Sequence, residues 1–474
     1  MVGLVAAALL WAVPAYCDEA AAAKRFAAAK GSEPELIAFL KGMPKGADLH
    51  NHVWGAVYAE TMLDIAVQRG FYFDPQTFAL STAPASGLLP ASALVKDRTL
   101  SNRFIEAVSM RGAHPGESGH DHFFATFHKF IPAIEALGPD ARLSEAIGRA
   151  RDQNVQYMEL MDEVESGAVT QDLLKDPPAI DDMDQALAVV SRKFPALLAD
   201  AAKYLDERDQ EVAKRLGLKA PISSVESPIT IRYIFALPRT VPDPAFFALM
   251  AAGMELAAKE RRVAAVNILA PEDDPASRKN FDSQMRIIDF LWNKLGQPNM
   301  TLHAGELPLE ISPVEPMRSR IRKTIELGHA RRIGHGVSIA WEDDLPGLLR
   351  EMKAKRVAVE INLSSNEGIL KVSGDKHPFN LYRRAGIPLT LNTDDEGVNR
   401  SNLTMEYVKA ARSFDLSYQD LKGLARNSVE YSFLPGESLY VDGDYRRLRP
   451  ELASRSEKAR VQARLEQAFA DFEK

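Results

Sequence analysis

The chain has 474 residues, 46% hydrophobic and 26% charged, which describes a folded protein with a sizeable core. Its formal net charge of -7 argues against nucleic-acid binding, since a phosphate backbone demands a basic face. A single cysteine, Cys17, excludes an internal disulfide framework and a multi-cysteine metal site.

Residues 2–16 (VGLVAAALLWAVPAY) form an apolar run too short to span a membrane comfortably, with the length of a secretory h-region. Ala15 and Cys17 suit cleavage just before Asp18, although no positively charged residues precede the run. Residues 1–17 are therefore expected to be a signal peptide. The protein is expected to be exported, periplasmic or secreted, with no stable membrane association. Such cleavage removes the only cysteine, so a metal site in the mature chain must use histidine and carboxylate.

Residues 20–40 predict one or two polar helices. Eight short β-rich runs then alternate with helical patterns: 47–52, 155–161, 229–237, 263–270, 300–305, 332–336, 357–363 and 388–395. Near-continuous apolar strands with helical crossovers imply a parallel sheet covered on both faces. Eight such units favour a closed (β/α)8 barrel, an α/β TIM barrel with an N-terminal helical extension. Residues 74–101, rich in Pro, Ser and Ala, predict a long loop or cap inserted after strand 1. Residues 203–228 exceed a normal connection, and 451–474 predict a charged, exposed helix. The expected division is signal 1–17, barrel 18–440 and helical tail 441–474. Neither a dinucleotide-binding glycine fingerprint nor a phosphate loop occurs.

Barrel enzymes place their chemistry at the C-terminal ends of the strands. Of ten histidines, His50 and His52 end strand 1, His303 ends strand 5 and His335 ends strand 6, while Asp394 and Asp395 end strand 8. Residues i and i+2 of a strand share a face, so His50 and His52 can hold one ion. His303 and Asp394 complete a donor set suited to a single Zn²⁺ that keeps a position for water. Glu306, three residues on in HAGE, suits acid/base work in a strand-to-helix turn that Gly305 permits. His335, between glycines, is a candidate to orient or deprotonate water. Asp395, sent to the opposite face from Asp394, is a candidate for a substrate donor. Glu360 on strand 7 is a candidate to hold a ligand histidine in position. A second HxH pair, His120 and His122, falls in a helical pattern where i and i+2 diverge, and is expected at the surface or pocket rim.

MPKGADLHNH, TLHAGE, RIGHG, EINLSSN and LNTDD, in that order, resemble the adenosine/AMP deaminase family of the amidohydrolase superfamily. The likeness runs from about residue 43 to about 436. MPKGA, the signal and the early loop resemble the secreted adenosine deaminase-related growth factor branch. The resemblance implies zinc on His50, His52, His303 and Asp394, protonation of purine N1 by Glu306, and hydrogen bonding of N7 by Asp395. It implies that His335 faces the zinc-activated water, and that Phe123, Phe124 and Phe127 form an apolar lid near the ribose. Gly305 and Trp54 are further expected substrate contacts. Trp54 stands where many members carry an acidic residue for the ribose, Pro271 where a glycine N–H meets purine N3, and Glu396 where a proline is usual.

The expected function is zinc-dependent hydrolytic deamination of adenosine or 2′-deoxyadenosine, with a purine nucleoside as the small-molecule partner. The early insertion is a candidate homodimer surface. One alternative is deamination of another 6-aminopurine compound. Another is a different mononuclear amidohydrolase, since VAAVNILA lacks the strand-4 lysine that bridges two metals in that superfamily. A non-enzymatic purine-binding signalling protein is the remaining reading.

Overall fold

The computed structural model describes residues 18–112 and 116–474. The apolar run 1–17, and with it the signal and export reading, lies outside the described residues.

All eight expected barrel strands form, in chain order. They are β1 Gly46–His52, β2 Val155–Met161, β3 Thr230–Pro238, β4 Val263–Leu269, β5 Met300–Ala304, β6 Ala330–His335, β7 Ala358–Ile361 and β8 Leu389–Leu391. They make one sheet, and every neighbouring pair is parallel. The runs read as continuously apolar because helices cover the outer face and packed side chains fill the interior. The seam between β8 and β1 is drawn together beyond the last residue of β8. There Asn51 and Asp394 bridge, His52 N–H donates to Asp394 O (3.1 Å) and Asp394 N–H donates to His50 O (2.8 Å). The result is a nearly closed (β/α)8 TIM barrel whose seam sets Asp394 beside both strand-1 histidines.

Three expectations need correction. Residues 74–101 are not one long loop. Leu80–Ser81 and Leu89–Pro90 flank Tyr72–Phe73 in a small antiparallel sheet, and helices Ser92–Lys96 and Arg98–Ala107 follow. Together with Ala59–Gln68 and Gly119–Leu137 they form a second apolar cluster, with Met62, Phe73, Phe104 and Phe130 at its centre. The long connection near 203–228 is largely the end of a 22-residue helix, Phe194–Arg215. The C-terminal segment is not an exposed helix. It begins with a hairpin (Tyr440–Val441 with Asp444–Leu448) and ends in helix Glu457–Phe472, which buries Val461, Leu465 and Phe469. That i, i+4, i+8 stripe is hidden in the sequence among charged neighbours.

The expected N-terminal helices are present as Glu19–Ala29 and Glu33–Gly42. Phe39 packs on Phe26 (5.6 Å between ring centres) and on Phe472 (5.1 Å), so the two ends of the described chain share one apolar contact. Lys422 Nζ joins them from below, donating to Glu19 (2.9 Å) and Glu473 (2.6 Å).

Candidate active site

The residues singled out at the strand ends converge. His50 is fully buried, and its Nδ1 lies 2.7 Å from Glu360 Oε2. A carboxylate only accepts, so the ring proton sits on Nδ1 and the bare Nε2 faces the barrel mouth. That buried Nε2 has no hydrogen-bond partner and stands 3.4 Å from Asp394 Oδ1. His303 repeats the arrangement: Nδ1 donates to Asn267 Oδ1 (2.8 Å), leaving Nε2 bare at 3.3 Å from His52 Nε2. His52 Nε2 is also 3.4 Å from Asp394 Oδ1. Imidazole lone pairs aimed at one point beside a carboxylate repel each other unless a cation lies between them. Histidine and carboxylate ligands held by outer carboxylate and amide partners are the donor chemistry of a catalytic zinc-type site.

His335 also belongs to the cluster, since the donor atoms of His50, His303, His335 and Asp394 lie within 4.8 Å of one another. Its tautomer separates it from the ligands. The Phe379 backbone N–H donates to His377 Nδ1 (3.1 Å), which leaves the His377 proton on Nε2. That proton goes to Asn366 Oδ1 (3.0 Å), so the Asn366 amide nitrogen faces His335 and donates to its Nδ1 (2.9 Å). His335 therefore carries its proton on Nε2, 3.8 Å from Asp394 Oδ2, and presents a donor rather than a lone pair. His335 and Asp394 both adopt left-handed backbone (φ 66° and 60°), a strained conformation that clusters at functional sites. Asp394 is thus not in extended strand geometry, and the simple alternation expected for Asp394 and Asp395 does not apply.

Glu306 lines the same cavity, 3.7 Å from His335 Nδ1. Burial, with the charges of Asp394 and Glu272 adding to it, pushes its carboxyl up to about 8. It is therefore mostly protonated at neutral pH. The turn after His303 leads into an irregular segment rather than directly into a helix; helix Val314–Met317 comes later. What fixes it is Glu272, which accepts from the N–H groups of Gly305 (3.0 Å) and Glu306 (2.7 Å). Gly305 thus spends its N–H on Glu272 and is not among the residues lining the cavity, contrary to its expected substrate contact.

Asp395 lines the cavity with a buried Oδ1 that has no hydrogen-bond partner. It packs so closely on strand 1's exit that a Cβ at Gly55 would lie 1.7 Å from that oxygen. Trp54, Phe123, Phe124, Phe127 and Pro271 also line the cavity, as expected for the first four. Arg142 lies over the Trp54 ring at 5.1 Å. Glu396 does not reach the cavity; it is buried against Arg149 (3.1 Å). The His120–His122 reading needs a correction. His122 is buried, bonded to Glu117 (2.8 Å) and to Ser109 O (3.0 Å), where the helix start packs on the preceding segment. His120 bonds Asp273 (3.0 Å).

Sequence reasoning missed Asn267, Glu272, Asn366 and His377. Asn267 alone carried a signal: a buried amide inside the apolar run VAAVNIL needs a partner.

The cavity has a volume of about 1030 Å³. Its metal-cluster end is described above, and its outer wall includes Asp162, Glu163, Glu165, Tyr204 and Leu174. Among the described residues lining it there is no lysine or arginine.

This architecture defines a barrel protein whose C-terminal rim gathers side chains that could hold a metal ion, His50, His303, His335 and Asp394 in one group and His52, Asp394 and Asp395 in another. Residues 211–439 match the family model described as adenosine deaminase. An aminodeoxyfutalosine deaminase from Streptomyces coelicolor is 40% identical over 116 residues, 24% of this chain and 29% of that protein. An adenosine deaminase from Enterococcus faecalis is 34% identical over 146 residues, 30% of this chain and 39% of that protein. The matches thus span well under two thirds of these relatives. Among solved structures, an N6-mAMP deaminase from Arabidopsis superposes with a TM-score of 0.55 at 19% identity, covering 92% of this chain and 99% of that one. An amidohydrolase from Burkholderia ambifaria with bound Zn gives 0.55 at 19%, covering 92% and 94%. These two share the fold. Within the described residues no helix is long and apolar enough to cross a membrane.

Proposed function

We propose that the protein is a zinc-dependent aminohydrolase that converts a 6-aminopurine nucleoside, adenosine or 2′-deoxyadenosine, to the 6-oxo nucleoside and ammonia. The observation that carries this reading is the position of Glu306, a carboxyl that lines the same cavity as the convergent metal donors and lies 3.7 Å from His335 Nδ1. Matches to deaminases support the reaction class.

His50, His52, His303 and Asp394 would hold the ion, which when bound supplies Lewis acidity and lowers the pKa of water. Glu306 donates its proton to purine N1, which draws electrons from C6 and opens it to addition of water. Asp395, whose carboxyl is held well above the usual range by burial and by Asp394, donates its proton to purine N7. The His335 Nε2–H, fixed through Asn366 and His377, orients the attacking water. Addition at C6 gives a tetrahedral carbon, the proton released by the water passes to the exocyclic nitrogen, and the C–N bond breaks with ammonia leaving. Pro271 has no N–H to offer N3, so the N1 and N7 edges bear the recognition.

A nucleoside fits better than a nucleotide. A phosphate ester entering this cavity would find no free cation, since no lysine or arginine lines it. Arg142 and Arg208 behind the wall already pair with Glu163 (2.7 Å) and Asp162, and Glu165 has no cation within ion-pair distance among the described residues. Its size, at the upper end of small-molecule sites, also admits a 6-aminopurine with a larger uncharged substituent. Loss of ultraviolet absorbance on deamination tests this directly. Adenosine is expected to turn over with kcat/KM about a hundredfold or more above AMP, since like-charge juxtaposition costs several kcal/mol. Preference for AMP would refute the nucleoside assignment.

A further inference from the structure

A second cavity, of about 380 Å³, opens near the start of β6, the end of that strand away from His335. Five cations line it, Arg331, Lys355, Arg356, Arg449 and Lys458, against two carboxylates, Glu430 and Asp442. In a chain of net charge -7 this local excess is out of character. It also lies on the side of the barrel that ordinarily serves stability alone.

Glu430 is already committed. Arg356 Nη2 donates to one of its oxygens (2.8 Å), and Gln462 Nε2 (2.8 Å) and Ser438 donate to the other. Arg331 and Lys458 have no carboxylate within ion-pair distance among the described residues. Arg331 donates to the neutral Asn299 Oδ1 (3.0 Å), and burial together with Arg332 and Arg356 holds its guanidinium below the usual value. Lys458 Nζ donates to the carbonyls of Glu430 (3.1 Å) and Ser432 (2.9 Å), which leaves one ammonium proton without a partner. Arg449 Nε is buried with no partner, while its Nη1 lies 3.5 Å from Glu437 and its Nη2 donates to Ser438 O (3.0 Å). Arg331 and Lys458, two cations without a carboxylate partner that line one cavity, raise the local potential.

We propose that this cavity binds a compact dianion of the phosphate class, either free phosphate or the phosphoryl group of a small molecule, between Arg331, Arg449 and Lys458. A guanidinium offers paired N–H donors that match phosphate oxygens, and an ammonium adds a third point of contact. Two negative charges offset the unpaired Arg331 and Lys458. Phe433, whose ring carries Arg332 at 3.9 Å, walls one side and limits solvent access.

The test is calorimetric titration of the metal-loaded full chain with inorganic phosphate, with a simple sugar phosphate and succinate as further arms, at fixed ionic strength. Saturable binding of one phosphate per chain is expected, with succinate weaker. Arg331→Gln, at an exposed position, should weaken it about tenfold through loss of a charge-assisted contact. Its adenosine turnover should be unchanged, and Arg447→Gln on the exposed hairpin should bind like the parent. Tighter binding of the sugar phosphate than of phosphate assigns the natural ligand as an ester; the reverse assigns the free ion. Absence of saturable phosphate binding, or binding that Arg331→Gln leaves intact, overturns the proposal.

Discussion

Replacing Glu306 by Gln should leave the metal in place and cut turnover of adenosine by about 10²–10⁴-fold, the usual contribution of a positioned general acid. The substitution keeps shape and preserves the backbone N–H that Glu272 accepts from. It removes an acidic proton that the site holds ready near neutral pH, because burial and the carboxylates of Asp394 and Glu272 keep the acid form populated to about pH 8. The sign of the pH dependence follows. A raised acid is fully protonated well below 8 and loses its proton as pH rises through that value, so kcat should fall on the alkaline side. The Glu306→Gln variant should flatten that limb as well as lower the rate. Near-normal turnover in the variant would remove Glu306 from the mechanism.

Replacing Arg332 by Met should destabilise the fold by about 3–5 kcal/mol, because it strips the cation from two buried carboxylates. Arg332 is 1% exposed and bridges Glu159 on β2 and Glu360 on β7 through the barrel interior. Glu360 in turn accepts from Thr301 Oγ1 (2.6 Å) and holds His50 Nδ1. Burial pushes the Glu360 carboxyl up, but Arg332 and His50 outweigh it and hold it down to about 2. Without the arginine its charge becomes costly, its grip on His50 loosens, and metal affinity should fall about 10–100-fold, as for other outer partners of ligand histidines. Denaturant midpoints of the variant and the parent, each with and without metal, separate the two effects. An unchanged midpoint would contradict the buried-triad account.

Much of the fold was legible because a barrel strand covered on both faces leaves a continuous apolar run, and all eight runs became strands. The clustering of His50, His52, His303, His335 and Asp394 was legible for a related reason: a histidine or aspartate closing such a run falls at the C-terminal rim. What stayed hidden depends on contacts between distant segments. His377 bears on His335 only through Asn366, a link that no spacing encodes. Glu272 reaches the Gly305–Glu306 turn from the loop after β4. The left-handed backbone of Asp394 follows from the β8–β1 seam, not from its own type. The closing helix was misjudged because Val461, Leu465 and Phe469 make a narrow stripe in a charged sequence.

The central claim is a metal ion held by His50, His52, His303 and Asp394. Elemental analysis of the purified protein beside folded His303→Ala and Asp394→Ala variants tests it most directly. The account predicts one zinc per chain in the parent and near-total loss in both variants, with circular dichroism unchanged. A parent that turns over adenosine without metal, or variants that keep a full zinc complement, would contradict it.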